Sequence, residues 1–397
     1  MKNFLDAVII LSLKFFDALL SHESSLTTSQ VISPFSYLHV ISLLANGSDK
    51  EQYLGCIKKL GFEADIDKFY EHFMKLNNKL NTHKEFNSFL CVKNYLIHRK
   101  DFEIKNEFKT SSTERFGLTI FDFDPLVHKE KANEISKKIA ADTDNIIKRA
   151  FQDLNPDICT LILNIICLKL TWKHKFDSCE MREFHKLPEN KTVCKEKESK
   201  SSDPEVVLQN FMKQGEKKKY WSLENEDFIA IEMPYKDSSL SFVALMPKNL
   251  NNWEIVKKEF CSLEGFKNVF SKMKFQYTDP IFPEFQFESE IDILKSAKLT
   301  DINETLNNLA INNMMEGVKK ANFKINQKIL IDVNENGTLA TVATTGTCFD
   351  GGPKQWLELE FNQPMLFSIV MKDKSREEIL PIIMGNYMGP EKKKELK

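Results

Sequence analysis

The sequence predicts an α+β fold that forms a single domain over about residues 1–390, followed by a frayed basic tail at 391–397. Three observations lead to this prediction. Helical periodicity, with apolar residues recurring on one face, dominates the chain up to about residue 82. Apolar runs typical of strands recur from there to the C-terminus. No Pro/Gly/Ser-rich linker and no internal repeat divides the 397 residues.

The first part of the chain is predicted to be mainly helical. Residues 3–20 carry apolar side chains on one helical face, and charges interrupt the stretch, which favours an amphipathic core helix over a cleavable signal sequence. Ser33 suits the N-cap and Pro34 the first position of a helix that continues through residue 45. Further helices are predicted at 50–60, 67–82 and 128–149, and strands at 89–97 and ending at 121–123.

The second part is predicted to be mainly strands. Residues 159–172 form the most apolar run, and at fourteen residues it is too short to span a bilayer, so it predicts a buried central strand. Residues 187–206 are polar and lack periodicity, which predicts a surface loop. A hairpin is predicted at 229–248, a helix from about Ile291, and late strands around 329–333 and 356–361.

One segment has strand chemistry but no obvious partner. Residues 338–347 contain five Thr, one Val, two Ala, one Leu and one Gly, without charge or proline. Alternation places compact side chains on one face, at Thr338, Ala340, Val342, Thr344 and Gly346. An exposed segment of this kind is an aggregation hazard unless it has a place in a sheet. The sequence therefore predicts a loop that is able to become a strand.

Composition and motifs argue against several function classes. The net charge of −2 does not favour nucleic acid, and no segment predicts a membrane partner. The eight cysteines form no C-x-x-C pair or zinc pattern, and they suit core thiols in a reducing compartment. No G-x-S-x-G, H-E-x-x-H or P-loop motif is present, so we expect no enzyme, metal or cofactor. Glycosylation sequons stand at Asn46, Asn190, Asn303 and Asn336.

Several motifs, in order along the chain, resemble the serpin family over about residues 3–390. They are VISPFS at 31–36, the strand at 159–172, ENGT at 335–338 followed by the Thr/Ala run, and NQPMLF at 362–367. The resemblance implies the serpin fold. That fold has a large, mainly mixed sheet, a second and a third sheet, about eight to nine helices, and an exposed reactive-centre loop at about 335–357.

The resemblance also implies a function. Serpins are suicide inhibitors of serine proteases, and in some cases of cysteine proteases, that trap the acyl-enzyme by inserting the cleaved loop into the main sheet. The alternative is a non-inhibitory serpin that acts as a binding or carrier protein. The family further implies a monomer located outside the cell, while the free cysteines leave a cytoplasmic location open.

The resemblance assigns roles to three groups of residues. The hinge of the loop would be formed by Glu335, Gly337, Thr338, Ala340 and Ala343. The region where the sheet opens would contain Ser33, Asn164, Trp172 and Gln327. Counting forward from Gly337 places the bait bond at Gly351–Gly352, and counting back from Pro364 places it at Pro353–Lys354. The candidates, with side-chain chemistry included, are Asp350, Gly351, Gly352 and Lys354.

The chain departs from the family pattern at four positions. Leu339 stands where an acid is usual, and Val342 is larger than the usual alanine. Gln327 stands where most relatives have a histidine. Glu284 stands where relatives often have a lysine that pairs with the hinge acid, here Glu335. Two acids at this place would repel each other and ease the opening of the sheet.

Overall fold

The computed structural model describes residues 2–21, 27–81, 89–151, 153–187, 204–236, 239–293, 310–315, 323–338, 355–373 and 375–390. These residues contain eight α-helices: α1 (Lys2–Leu20), α2 (Pro34–Asn46), α3 (Lys50–Lys59), α4 (Ile66–Asn81), α5 (Asn106–Phe116), α6 (His128–Asp142), α7 (Trp253–Cys261) and α8 (Leu263–Lys272). None of these helices combines the length and apolarity needed to cross a membrane.

The described strands are β1 (Gln30–Ile32), β2 (Phe89–Arg99), β3 (Leu118–Phe123), β4 (Thr160–Thr171), β5 (Ser178–Lys186), β6 (Glu205–Lys213), β7 (Lys218–Glu224), β8 (Phe228–Pro234), β9 (Leu240–Pro247), β10 (Lys274–Pro283), β11 (Phe285–Asp292), β12 (Phe323–Asn334), β13 (Gly337–Thr338), β14 (Leu357–Glu360), β15 (Met365–Lys372) and β16 (Ile379–Tyr387). Helices and strands occur in separate runs, and most neighbouring strands pair antiparallel, which confirms the α+β class expected from the sequence.

Six strands form the mixed sheet that holds the functional site, which we call the main sheet. Its order is β11-β12-β13-β4-β2-β3. Strands β4 and β12 run parallel, β2 and β3 run parallel, and the other pairs are antiparallel. The mixed character agrees with the prediction, and β4 corresponds to the apolar run at 159–172.

The other ten strands form a second, curled sheet. Its path is β1-β16-β15-β9-β8-β7-β10-β6-β5, and β14 pairs in parallel with β10. The predicted second and third sheets are joined here through β10, whose first half pairs with β7 and whose last residues pair with β6. The predicted hairpin at 229–248 is formed by β8 and β9.

Helix α2 lies in the core between the two sheets. Every side chain from Pro34 to Ala45 is buried, and the helix contacts both β4 and β16. Ser33 caps it as predicted, because its Oγ accepts the Ser36 backbone N–H at 3.2 Å. The start of α2 is therefore fixed directly beneath the main sheet.

Some element boundaries differ from the sequence-based expectation. Helix α6 ends at Asp142 rather than near residue 149, since the left-handed residues Asp144 and Asn145 end the turn. Ile291 belongs to β11, where a helix was expected to begin. The remainder of that helix, most of the 187–206 loop and the tail at 391–397 lie outside the described residues.

Candidate functional site

The candidate site is the place where β4 and β12 part within the main sheet. These strands are paired from Thr160 opposite Phe323 to Ile166 opposite Ile329. Beyond that point they pair with β13 instead, so that Gly337 lies opposite Asn334 on one side and Thr171 on the other. One half of the seam between β4 and β12 is therefore closed, and the other half already holds Gly337 and Thr338, the latter being the first residue of the Thr-rich segment.

A tight turn brings the chain back into the sheet. Strands β12 and β13 form a hairpin whose two-residue turn is Glu335–Asn336. Gly337 has φ +154°, and a Cβ built on it would lie 1.9 Å from the Leu170 carbonyl oxygen. Only glycine fits so close to the backbone of β4. This close approach gives a physical reason for the Gly337 of the predicted hinge.

Thr338 is the first side chain to enter the core. It is fully buried, and its Oγ1 lies 2.7 Å from the hydroxyl of Tyr235. Burial raises the pKa of the Tyr235 phenol well above its ordinary value, so the hydroxyl stays protonated and able to donate. The Tyr235 ring stacks on Trp172, with centroids 4.6 Å apart and planes 4° from parallel.

The loop after β4 covers the hinge. The Trp172 indole Nε1 donates to the Asn334 carbonyl at 2.9 Å, and its backbone N–H donates to the Asn336 carbonyl at 3.0 Å. The Lys175 ammonium donates to the Asn336 side-chain oxygen at 3.0 Å, and the Phe176 N–H donates to the Glu335 carbonyl at 3.0 Å. The polar groups of the turn are thus bound by the segment that follows β4.

Beneath the sheet, the start of α2 contacts both strands of the seam. The Gln327 amide of β12 accepts the Ser33 N–H at 2.8 Å and donates to the Ser33 carbonyl at 3.0 Å. The Ser36 hydroxyl donates to the Asn164 side chain of β4, which in turn donates to Asn94 at 2.8 Å. We call these contacts the polar clamp, because one helix end binds a strand on each side of the opening.

Three acids lie around the hinge. Burial, with added repulsion from Glu284 and Glu335, raises the pKa of Asp332 on β12. Burial followed by the same two charges also raises the pKa of the Cys179 thiol. Glu284 accepts a hydrogen bond from the Asn210 side chain at 3.2 Å. The like charges expected from Glu284 and Glu335 therefore act on a third carboxyl group that the sequence reasoning did not single out.

The structure places the sequence-predicted residues in two neighbouring sets. Glu335, Gly337, Thr338 and Trp172 meet at the open end of the seam, while Ser33, Asn164 and Gln327 take part in the polar clamp. Ala340, Ala343 and the bait-bond candidates Asp350, Gly351, Gly352 and Lys354 lie outside the described residues.

Two site residues were missed at the sequence level. Tyr235 follows the end of β8, and its contact with Thr338 spans 103 positions of the chain. Lys175 binds Asn336 across 161 positions. The only sequence signals are a tyrosine at a strand end and a lysine near Trp172, and neither pattern indicates its distant partner. Among the described residues, no group of three His, Cys, Asp or Glu side chains is arranged to hold a metal ion.

Comparison with known proteins gives consistent matches over nearly the whole chain. The family model described as Serpin (serine protease inhibitor) matches residues 9–390. Antitrypsin of Bombyx mori is 24% identical over 327 residues, which cover 80% of this chain and 78% of the antitrypsin.

Solved structures match the fold as well. Serpin48 of the insect Tenebrio molitor superposes with a TM-score of 0.75 at 18% identity, covering 98% of this chain and 99% of Serpin48. Human thyroxine-binding globulin complexed with thyroxine superposes with a TM-score of 0.78 at 17% identity, covering 98% of this chain and 100% of the globulin. At these identities the likeness concerns the fold alone.

Proposed function

The chain belongs to the serpin family, and from this premise we propose that it is a suicide inhibitor of serine proteases. Serpins act as inhibitors or binding proteins rather than as catalysts. The observation that carries the proposal is the half-open seam, which holds Gly337 and Thr338 as a strand with pairing partners on both sides. The rest of the Thr-rich segment would continue β13 between β4 and β12.

In the proposed mechanism the chain supplies a bait bond between about Asp350 and Lys354. A serine protease attacks this bond and forms an acyl-enzyme. The released segment then extends β13 toward the closed half of the seam. About fourteen residues at ~3.3 Å each would carry the attached protease roughly 45 Å. Distortion of the acyl-enzyme at the end of this movement would stop its hydrolysis.

Insertion requires the closed half of the seam to separate. Seven residue pairs, from Phe323 opposite Thr160 to Ile329 opposite Ile166, must exchange one parallel ladder for two antiparallel ladders. The new strand satisfies more backbone groups than the parting removes, so insertion is favourable. The polar clamp opposes the separation, because the Ser33 end of α2 binds β12 while Ser36 binds β4. We therefore assign the clamp a role in holding the uncut state.

The names of the relatives differ in target, since two Bombyx mori relatives are called antitrypsin and antichymotrypsin-2. Lys354 is the bait candidate that suits a trypsin-like pocket, as the first of these names would require. We propose a trypsin-like protease as the first target to test and a location outside the cell. The test is incubation with a panel of serine proteases, followed by denaturing electrophoresis and sequencing of the released fragment. An adduct with a new N-terminus between Gly351 and Gln355 is expected, and cleavage without any adduct would contradict inhibition.

Glycosylation is expected to avoid the hinge. Asn336 is the sequon residue in the turn, and it is buried, with its side-chain nitrogen donating to Glu335 at 2.6 Å and its oxygen accepting from Lys175. A glycan would break these contacts. We expect mass spectrometry of secreted, adduct-forming protein to find Asn336 unmodified. Full glycan occupancy at Asn336 would contradict its buried position in the turn.

A carrier function is the second candidate, favoured by one cavity of about 450 Å³. It is lined by Leu5 and Ile9 of α1, Phe266 and Phe270 of α8, and Arg376. The Arg376 guanidinium lies 3.9 Å from the Trp221 ring centroid and shares the single carboxylate of Glu232 with Lys372. Asp6, Lys267, Glu377 and Glu378 also line the cavity, so its walls carry no surplus of positive charge. The apolar walls favour a largely apolar ligand, with Arg376 as one polar contact.

Thyroxine is a suitable probe for this cavity, because one structural neighbour is a complex with it. If the chain is a carrier, titration with thyroxine should give saturable quenching of tryptophan fluorescence that Arg376→Ala weakens. Lys109→Ala, at an exposed site on α5, is the control. Absence of saturable quenching in the unmodified chain would contradict the carrier hypothesis.

A further inference from the structure

A patch of exposed aromatic side chains lies on the curled sheet where the chain leaves the bait segment. Within the described residues, every exposed large aromatic belongs to it: Phe275, Tyr277 and Trp356 are 57%, 39% and 50% exposed. Aromatic side chains are enriched at protein interfaces, and single apolar residues on a surface are ordinary. It is the clustering of all three at one place that needs an explanation.

Strand pairing sets these side chains in rows on one face. Tyr277 of β10 lies opposite Lys219 of β7, and Thr278 lies opposite Leu357 of β14, so Trp356 is level with Tyr277. One row across three strands is therefore Lys219–Tyr277–Trp356. A second row is formed by Phe275 and Trp221, whose ring centroids are 5.6 Å apart. Lys219, Trp221, Phe275 and Tyr277 lie on paired strands, and Trp356 directly precedes β14, so most of this surface is preformed.

Charges accompany the rings. The Lys219 ammonium lies 4.9 Å from the Tyr277 ring centroid, and the Lys217 ammonium lies 5.1 Å from that of Trp356. Lys217 also pairs with the buried Asp279 at 2.7 Å, which neutralises it. Lys219 is exposed and adds positive charge to the apolar rows. Beside these rows lies a shallow concavity of about 730 Å³, lined by Lys219, Phe275, Gln276, Tyr277, Gln355, Trp356 and Leu357.

The position of the patch indicates its partner. Trp356 is only two residues beyond Lys354, the last bait-bond candidate, so the two Cα atoms are at most about 7 Å apart. A protease that grips the bait bond must place part of its body over the residues that follow the bond. The target protease is therefore the macromolecule that comes close to Trp356. This inference rests on the proposed function.

We propose that the Lys219–Tyr277–Trp356 row and Phe275 form a docking surface for the body of the target protease, outside its active-site cleft. The partner surface has an apolar centre that packs on the rings and an acidic side chain that faces Lys219. The surface speeds the first encounter and holds the protease before attack. It takes no part in loop insertion, so it acts on the rate of attack and leaves the fate of the acyl-enzyme unchanged.

The test compares two trypsins that share a specificity for basic residues, one with an anionic and one with a cationic surface. All proteins carry Gly351→Arg, which gives trypsin a basic residue at the bait position predicted by spacing. The readout is the second-order rate constant of attack on the bait segment, counted as adduct plus cleaved chain. It is measured whether or not adduct forms, so failure of inhibition does not affect it.

Two variants probe the surface, each with a matched control. Lys219→Glu should lower attack by anionic trypsin about fivefold and leave or raise attack by cationic trypsin. Phe275→Ser combined with Tyr277→Ser should lower attack by both trypsins about tenfold. Lys109→Glu on α5 makes the same charge change at a remote site. Leu126→Ser, at a residue that is 90% exposed, replaces an exposed apolar side chain by serine away from the surface.

The outcomes separate the two proposals. Unchanged melting temperatures will show that the variants fold. A free peptide of residues 345–360 lacks the docking surface, so the two trypsins should attack it at equal rates at all salt concentrations. Surface variants that react within twofold of their controls, with both trypsins, would overturn the docking surface. Complete cleavage without adduct, at rates that still depend on Lys219 and Phe275, would overturn inhibition and support the surface.

Discussion

The two halves of the β4–β12 seam have opposite chemistry. The closed half is a parallel ladder of seven pairs, anchored from below by Gln327 and Asn164. The open half ends in Asp332 and a two-residue turn, with the acids Glu284 and Glu335 close by. Parallel pairing is slightly weaker per residue than antiparallel pairing. The strands are therefore paired where polar contacts bind both of them, and they part where three acids lie close together.

The largest expected effect comes from cutting the loop. Cleavage between Asp350 and Lys354 should free the segment to pass from the open half into the closed half. The cut protein should therefore melt well above the intact protein in calorimetry. Equal melting temperatures before and after cutting would mean that the closed half of the seam does not open. Strands β4 and β12 would then stay paired with each other there after cleavage.

Thr338→Arg should prevent the cleaved segment from inserting between β4 and β12. Thr338 is fully buried against Tyr235, so an arginine there places an uncompensated charge in the core at a cost of about 3–5 kcal/mol. We expect the variant to be cleaved as a plain substrate, with no adduct on denaturing gels. Thr110→Arg, on the exposed face of α5, is the matched control and should keep its adduct yield. Undiminished adduct in Thr338→Arg would refute entry at this point.

Gly337→Ala tests the close approach alone, without a charge. The added Cβ would meet the Leu170 carbonyl at 1.9 Å, so β13 must leave its place or distort β4. The ratio of cleaved chain to adduct should then rise several-fold in the variant. Gly55→Ala is the control, since a Cβ there meets nothing within 4 Å. Identical ratios in the two variants would show that the hinge does not occupy this site.

The smallest expected effect concerns the acids of the open half. The folded-state pKa of Asp332 is raised above 3.8, so its charge destabilises the uncut protein at neutral pH. The folded state binds this proton more readily than the unfolded state, so the penalty grows as pH rises through the two pKa values. Asp332→Asn should thus raise the melting temperature at pH 7, and the gain should shrink as pH falls toward 4.

The control for this pH dependence is Asp122→Asn, which removes an exposed carboxylate on β3. Its effect should be small and should not follow the same pH profile. A gain for Asp332→Asn that stays constant with pH would mean that repulsion around Asp332 is not the cause. In that case the two halves of the seam would differ in pairing only.

Much of the fold followed from periodicity. Helices α1 to α4 and strand β4 have long, regular apolar patterns, which local spacing determines. Helices α5, α7 and α8 were missed. The sequence of α5 is rich in Ser, Thr and charge, and the helix is fixed by the burial of Phe108 and Phe116. Strand β11 continues through Asp292 because it pairs with β12, which local sequence cannot indicate.

The sequence indicated which residues of the candidate site to examine but not how they are arranged, and their roles stay a prediction. The run from Glu335 to Thr338 and three residues of the polar clamp, Ser33, Asn164 and Gln327, were singled out from motifs that resemble the family. Ser36 and Asn94 were added by the structure. That Gly337 and Thr338 are already paired within the sheet depends on a balance between two ladders, and a single sequence does not give that balance. The contacts of Tyr235 and Lys175 join residues more than a hundred positions apart, and no local pattern encodes them.

The two-residue turn at Glu335–Asn336 has a consequence for how the chain folds. Extending β12 with the segment after Thr338 needs only local contacts, which form within microseconds as in other hairpins. Pairing β12 with β4 joins residues about 160 positions apart, and such long-range contacts form slowly. In that arrangement the proposed bait segment would be drawn into the sheet. Under the proposed mechanism, an inhibitory molecule would have to complete the slower pairing first, and its yield would be decided by this kinetic competition rather than by equilibrium.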